Sequence, residues 1–137
     1  VERGGVADSS ETTAKKFVAA LEKLEQERDL ETIASLFSED AEIDNVTSVS
    51  GKEGKQGAKE FWRVYRETFD EMKSSFRNQI FMDGRAALEW QTTGSSKNGH
   101  DVSYEGVSIL EIQGDKITRF FAYFDPRKLG RQIEDTN

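Results

Sequence analysis

Residues 83–126 read DGRAALEWQTTGSSKNGHDVSYEGVSILEIQGDKITRFFAYFDP. Three turn signals punctuate this stretch: Asp83-Gly84, Asn98-Gly99 and Gly114-Asp115. Between them, apolar and β-branched residues alternate with polar ones. Asn-Gly between two such runs is a strong hairpin signal, because its residues tolerate the positive φ that a tight turn requires. Together with the segment before Asp83, the pattern predicts antiparallel strands over 74–82, 85–95, 100–113 and 116–125. Pro126, the only proline, has no amide proton to extend a ladder and ends the last strand. A short helical segment over 127–133 is expected to follow.

Upstream of residue 74 the hydrophobic period changes from strand to helix. Ala14, Phe17, Val18, Leu21 and Leu24 recur at helical spacing up to about residue 27, and Asp8 with Glu11 reads as a capping box at the start. Arg28-Asp29 breaks this helix, and Asp29 is placed to cap a second one carrying Leu30, Ile33, Leu36 and Phe37. Ser38–Val46 alternates as a short strand, and Thr47–Gly57 reads as a loop with three glycines. A third helix is expected from Ala58 to about Lys73, with Phe61, Trp62, Tyr65, Phe69 and Met72 as its apolar stripe. Helices gathered on one side of an antiparallel sheet make an α+β domain. The expected limits are a flexible tail over 1–8, one domain over 9–133 and a short tail over 134–137.

Composition narrows the function classes. The chain has 137 residues, 26 acidic against 19 basic side chains, a net charge of −7 and no cysteine. Disulfides and thiolate chemistry are excluded, and an acidic chain without a basic stripe is a poor nucleic-acid binder. No apolar run approaches the roughly 18 residues of a membrane helix, and no secretory leader opens the chain, so a soluble cytoplasmic protein is expected. The single histidine, His100, cannot supply a metal triad, and no phosphate-loop or nucleophile-elbow motif is present, so neither metal nor cofactor is expected.

The element order, with LFSEDAEI at 36–43 and GDKITRFFAYFD at 114–125, resembles the nuclear transport factor 2-like superfamily. That group includes ketosteroid isomerase, SnoaL-like polyketide cyclases and limonene epoxide hydrolase. The resemblance covers residues 12–133 and implies a strongly curved, cone-shaped antiparallel sheet with three helices over its concave face, around a deep apolar pocket. Transferred position by position, the isomerase base falls on Asn45, its tyrosine on Phe17 and its second aspartate near Ser108, so that mechanism is lost. In the hydrolase-like motif only Asp125 matches; Trp90 and Thr92 stand where its Arg and second Asp belong.

Strand parity then predicts the pocket lining, because successive side chains face opposite sides. With Asp125 inward, Tyr123, Phe121 and Ile117 are also inward. A two-residue Asn98-Gly99 turn pairs Trp90 with Val107 and Thr92 with Glu105, which puts Trp90, Glu105 and Val107 on the pocket face. A carboxylate in an apolar cavity has a raised pKa and can serve as an acid or base. The expected catalytic pair is therefore Asp125 with Glu105, acting on a small apolar molecule held by Trp90, Tyr123, Tyr65, Phe17, Asn45, Phe121 and Val107. Phe120, Phe124 and Leu110 would form an outward apolar patch suited to a homodimer contact. A non-catalytic carrier or dimerisation domain is the competing reading, and the polar content of the cavity separates the two.

Overall fold

The computed structural model of the chain describes residues 6–47 and 52–134. The expected tail residues 1–5 and 135–137, and the middle of the expected Thr47–Gly57 loop, lie outside the described residues. Along the chain run α1 (Val6–Glu27), α2 (Leu30–Ala34), β1 (Phe37–Asn45), β2 (Lys52–Glu53), α3 (Gly54–Glu67), β3 (Phe69–Met82), β4 (Arg85–Ser96), β5 (Asp101–Gln113), β6 (Lys116–Phe124) and α4 (Pro126–Ile133). The strands form one sheet in the order β2-β1-β6-β5-β4-β3. The architecture is α+β, with a curved, open sheet carrying helices. Phe17 of α1, Trp62 of α3 and Phe120 of β6 meet between the layers, with Phe17 and Trp62 ring centroids 5.5 Å and 5.0 Å from that of Phe120. No helix among the described residues is long and apolar enough to cross a membrane.

Local chemistry explains most element boundaries. Arg28 takes a left-handed φ of 60° and ends α1. Asp29 then caps α2, accepting from the Thr32 amide at 3.2 Å and from the Thr32 hydroxyl at 2.7 Å. α1 already begins at Val6, two residues before the expected Asp8 cap. α3 stops at Glu67, six residues short of the expected end, because Phe69 and Met72 belong to β3. Their spacing fits a helix, but pairing with β4 wins. A Cβ at Gly94 would lie 2.0 Å from the Glu71 carbonyl oxygen, so only glycine lets the strands approach there. The sheet is mixed rather than wholly antiparallel, since β1 runs parallel to β6. Most of the chain separates these two strands, so no hairpin dictates their direction.

Two details of the hairpins reset the predicted faces. Asp83-Gly84 and Gly114-Asp115 are two-residue turns, joining Met82 to Arg85 and Gln113 to Lys116. The middle turn is longer. The Ser96 amide donates to the His100 carbonyl at 2.8 Å, leaving Lys97, Asn98 and Gly99 as a three-residue loop. Buried Ser96 holds it by accepting from the His100 amide at 3.1 Å and by pairing with the Asn98 side chain. Trp90 therefore pairs with Gly106 and Thr92 with Tyr104. That one-residue change turns Glu105 and Val107 to the outer face and brings Tyr104 and Ser108 inward.

The second detail lies in β6. Glu111 pairs with Arg119 but Ile112 with Ile117, so Thr118 is an extra residue whose hydroxyl donates to the Glu111 carbonyl at 3.2 Å. Ile117, Phe120 and Ala122 are all buried as a result, and Phe121 and Tyr123 face outward, Tyr123 with 49% of its surface exposed. The expected outward patch is corrected too: Leu110 and Phe120 are buried in the core and Phe124 packs against it, because the three-residue loop reverses β5 and Asp125, from which the β6 faces were counted, points to solvent. The outer face instead carries a continuous row of Ile80, Ala87, Ile109 and Phe121 across β3, β4, β5 and β6.

Candidate functional site

The layers of sheet and helix leave a hollow with two chambers. The inner one, about 70 Å³, lies between α1, α3 and the concave face, and nine of its fifteen lining residues are aromatic. The outer one, about 420 Å³, opens beneath α4 and is lined by Phe69, Val64, Leu129 and Ile133 among others. Asn45, Phe61, Tyr65, Tyr104 and Phe124 belong to both linings, so they stand where the chambers meet.

The aromatic wall is fixed by packing. Trp90 lies across Gly106, where a Cβ would come within 2.7 Å of its Cζ2 atom. Its Nε1–H donates to the Ser108 hydroxyl at 2.9 Å, and its ring meets Tyr104 edge-on at 5.3 Å. Trp62 contacts Phe17, Phe61 and Tyr65. The Trp62 Nε1–H is buried without a hydrogen-bond partner among the described residues, an arrangement that is unfavourable for a buried donor.

The polar part of the hollow is built around Glu25 of α1, which is only 3% exposed. Its Oε2 accepts from the Tyr65 hydroxyl at 2.6 Å and from the Ser74 hydroxyl at 2.6 Å, and its Oε1 accepts from the Ser74 amide at 2.8 Å. The Ser74 hydroxyl also contacts Thr92 Oγ1 at 2.6 Å. Burial, then the Glu25 charge, pushes the Tyr65 phenol well above its ordinary pKa. The same two causes, in the same order, raise Tyr104. Both phenols therefore keep their protons at neutral pH.

The expected site residues divide into two groups. Trp90, Tyr65, Phe17 and Asn45 line the inner chamber. Asp125, Glu105, Tyr123, Phe121 and Val107 do not. Asp125 is exposed and caps α4, accepting from the amides of Arg127 at 3.0 Å and Lys128 at 3.3 Å. Those amide bonds, Lys128's foremost, hold its pKa below the usual aspartate value, the opposite of the shift expected for a cavity acid. Its position immediately before Pro126 suits a helix cap, since Pro at the first helical position gives up no needed amide. Glu105 lies on the outer face and pairs with Arg77 at 3.0 Å; Arg77 also reaches Glu89 at 3.3 Å. Tyr123 and Phe121 pack against each other on that face, with centroids 4.5 Å apart.

Sequence reasoning missed Glu25, Ser74 and Tyr104. A signal for Glu25 was present: it lies four residues after Leu21 and eight after Phe17, on the apolar stripe of α1. A carboxylate on the buried side of an amphipathic helix needs partners, and here they come from α3 and β3.

Comparison with known proteins agrees with this geometry at the level of fold. A family model described as a SnoaL-like domain matches residues 14–120. No curated protein matches the chain. Among solved structures, TerC co-crystallised with polyporic acid is 21% identical, with a TM-score of 0.79 over 93% of this chain and 99% of that one. A nuclear transport factor 2-like protein of unknown function from Burkholderia pseudomallei is 16% identical, with a TM-score of 0.81 over 93% and 98%. An epoxide hydrolase of the limonene type from M. tuberculosis is 17% identical, with a TM-score of 0.70 over 89% and 90%.

Proposed function

The chain belongs to the SnoaL-like domain family, and from that premise we propose that it binds a small, flat, largely apolar molecule in the hollow beneath α4. The observation that carries this reading is the two-chambered cavity with its aromatic inner wall. Flat rings match such walls by offset or edge-on contact, and a few polar groups at one end set their orientation. The inner chamber is smaller than the roughly 150 Å³ cavity that accepts a benzene ring. A ring system therefore sits in the outer chamber and sends only a substituent inward. Acid–base chemistry at Asp125 has no part in this reading, because that carboxylate is engaged with backbone amides in solvent.

The test is a titration with one- to three-ring aromatic compounds, followed by quenching of Trp62 and Trp90 fluorescence. Saturable 1:1 quenching is expected, weakened about tenfold by Ala122→Leu, which fills part of the inner chamber. Absence of saturable quenching across the whole set would refute the reading. Native mass spectrometry of the purified protein would separately reveal a molecule retained from the host.

A second reading concerns assembly and rests on the outer face. Ile80 is 63% exposed and Met82 57%, beside the half-buried Ile109 and Phe121. We propose that this apolar row is covered by a second copy of the chain, since contiguous exposed apolar surface usually marks a contact site. Light scattering at micromolar concentration should give twice the chain mass, and Phe121→Glu should give the monomer. A monomeric wild type would refute this contact.

A further inference from the structure

The protons around Glu25 can be counted, and the count fixes what the neighbouring groups offer to a ligand. A carboxylate accepts only, so Tyr65 and Ser74 must each give their single hydroxyl proton to it. Ser74 then has none left for Thr92, and the proton in their 2.6 Å contact belongs to Thr92. Tyr65 and Thr92 are thereby left with lone pairs, and no protons, to present to the chambers they line. Tyr104 is in the opposite condition. It pairs with Thr92 across β4 and β5, lines both chambers with Tyr65, and its hydroxyl makes no hydrogen bond to the described residues. Its proton is available.

We propose that the junction of the chambers is a hydroxyl-recognition site, in which a phenol or alcohol group of the bound molecule donates to Tyr65 Oη and accepts from Tyr104 Oη. The inference rests on the pocket reading above and adds to it the polarity of the ligand. A hydroxyl satisfies both tyrosines at once. A carbonyl or ether oxygen satisfies Tyr104 but leaves Tyr65 lone pair against lone pair. A carboxylate is worse, because the buried charge of Glu25 stands directly behind Tyr65. Glu25 touches no part of the ligand in this arrangement; it is a positioning residue that holds the Tyr65 proton away from the cavity.

The test compares 2-naphthol, 2-methoxynaphthalene and 2-naphthoate by tryptophan quenching against the intact chain. Wild type should bind 2-naphthol about tenfold more tightly than the methyl ether, the worth of one satisfied buried hydrogen bond, and should bind the carboxylate most weakly. Tyr65→Phe should bring the naphthol and ether affinities within about threefold of each other. Glu25→Gln should narrow the gap as well, since its amide donates to Tyr65 and turns the phenol proton toward the cavity. Equal binding of naphthol and ether by wild type would overturn the polarity assignment while leaving the pocket reading intact. A tenfold preference that persists in Tyr65→Phe would overturn the role of Tyr65. Failure of all three compounds to bind wild type while other members of the aromatic set do bind would overturn this inference alone, and failure of the whole set would remove the pocket reading with it. The wild-type comparison decides the matter even if a variant fails to fold.

Discussion

Replacing Tyr104 by Phe should leave stability near pH 7 almost unchanged and raise it above pH 10. The hydroxyl removed makes no hydrogen bond to the described residues, while the ring keeps its contacts with Phe69, Trp90 and Phe124. Burial and the Glu25 charge raise the Tyr104 pKa in the folded chain. In the unfolded chain the phenol ionises near its ordinary pKa of about 10. Between those two values the folded state holds a proton that the unfolded state has released. Stability is then fully present below pH 10 and falls as pH rises through that window, by about 1.4 kcal/mol per pH unit for each such tyrosine. Tyr65 is raised in the same direction by burial and then the Glu25 charge, so it adds to the loss. Tyr104→Phe should recover the part due to Tyr104, roughly 2 kcal/mol at pH 11.5. Urea unfolding of both proteins, followed by tryptophan fluorescence from pH 8 to 11.5, measures the difference directly. Lysines and arginines titrate alike in the two proteins and cancel. Parallel stability curves above pH 10 would refute the reasoning, because they would mean that Tyr104 ionises in the folded protein as freely as in the unfolded chain.

Other expectations follow from single contacts. Gly106→Ala should destabilise by about 2–4 kcal/mol in urea unfolding, since its Cβ would lie 2.2 Å from the Tyr123 carbonyl oxygen and would push against Trp90; a loss below about 1 kcal/mol would show that the strands give way easily. Asp125→Ala should speed amide exchange in α4 at pH 7 by removing the two cap bonds. Because the folded pKa is lowered, that difference should fade as pH falls through the lowered value, where the wild type also carries a neutral cap. Glu105→Gln should change stability by less than about 0.5 kcal/mol and leave aromatic quenching untouched, because its ion pair with Arg77 is exposed.

The elements were legible because their signals are local. Gly84 and Gly114 sit in two-residue turns with φ of 78° and 62°, where a left-handed residue is required. Asp29 caps α2 through its own side chain, and Pro126 ends the sheet by lacking an amide proton. The aromatic wall was legible in part, since Trp90 and Tyr65 lie on apolar stripes whose period gives their side. The failures all concern which side a residue faces. Facing in a strand is a binary property transmitted along the ladder, so one residue more or less inverts everything beyond it. The extra residue in the loop after Ser96 inverted β5; β6 was counted from Asp125 as an inward residue, and that residue faces solvent, while the bulge at Thr118 keeps Ile117 buried all the same. Neither leaves a mark in the hydrophobic pattern: Val107 and Ile109 are as apolar as Leu110 and Ile112.

The residues alone therefore determined the order of helices and strands, their approximate limits, the exclusion of thiol chemistry and the family resemblance, all of which follow from short-range periodicity and backbone geometry. Tertiary structure decided the sides. It placed Asp125 in solvent as a helix cap, matched Glu105 with Arg77 on the outer sheet, and buried Glu25 against Tyr65 and Ser74, residues separated from it by 40 and 49 positions. A carboxylate's environment depends on which distant chain segments surround it, and those neighbours are set by register, bulges and the crossing of α1 over the sheet, which act over distances that no local window of sequence spans.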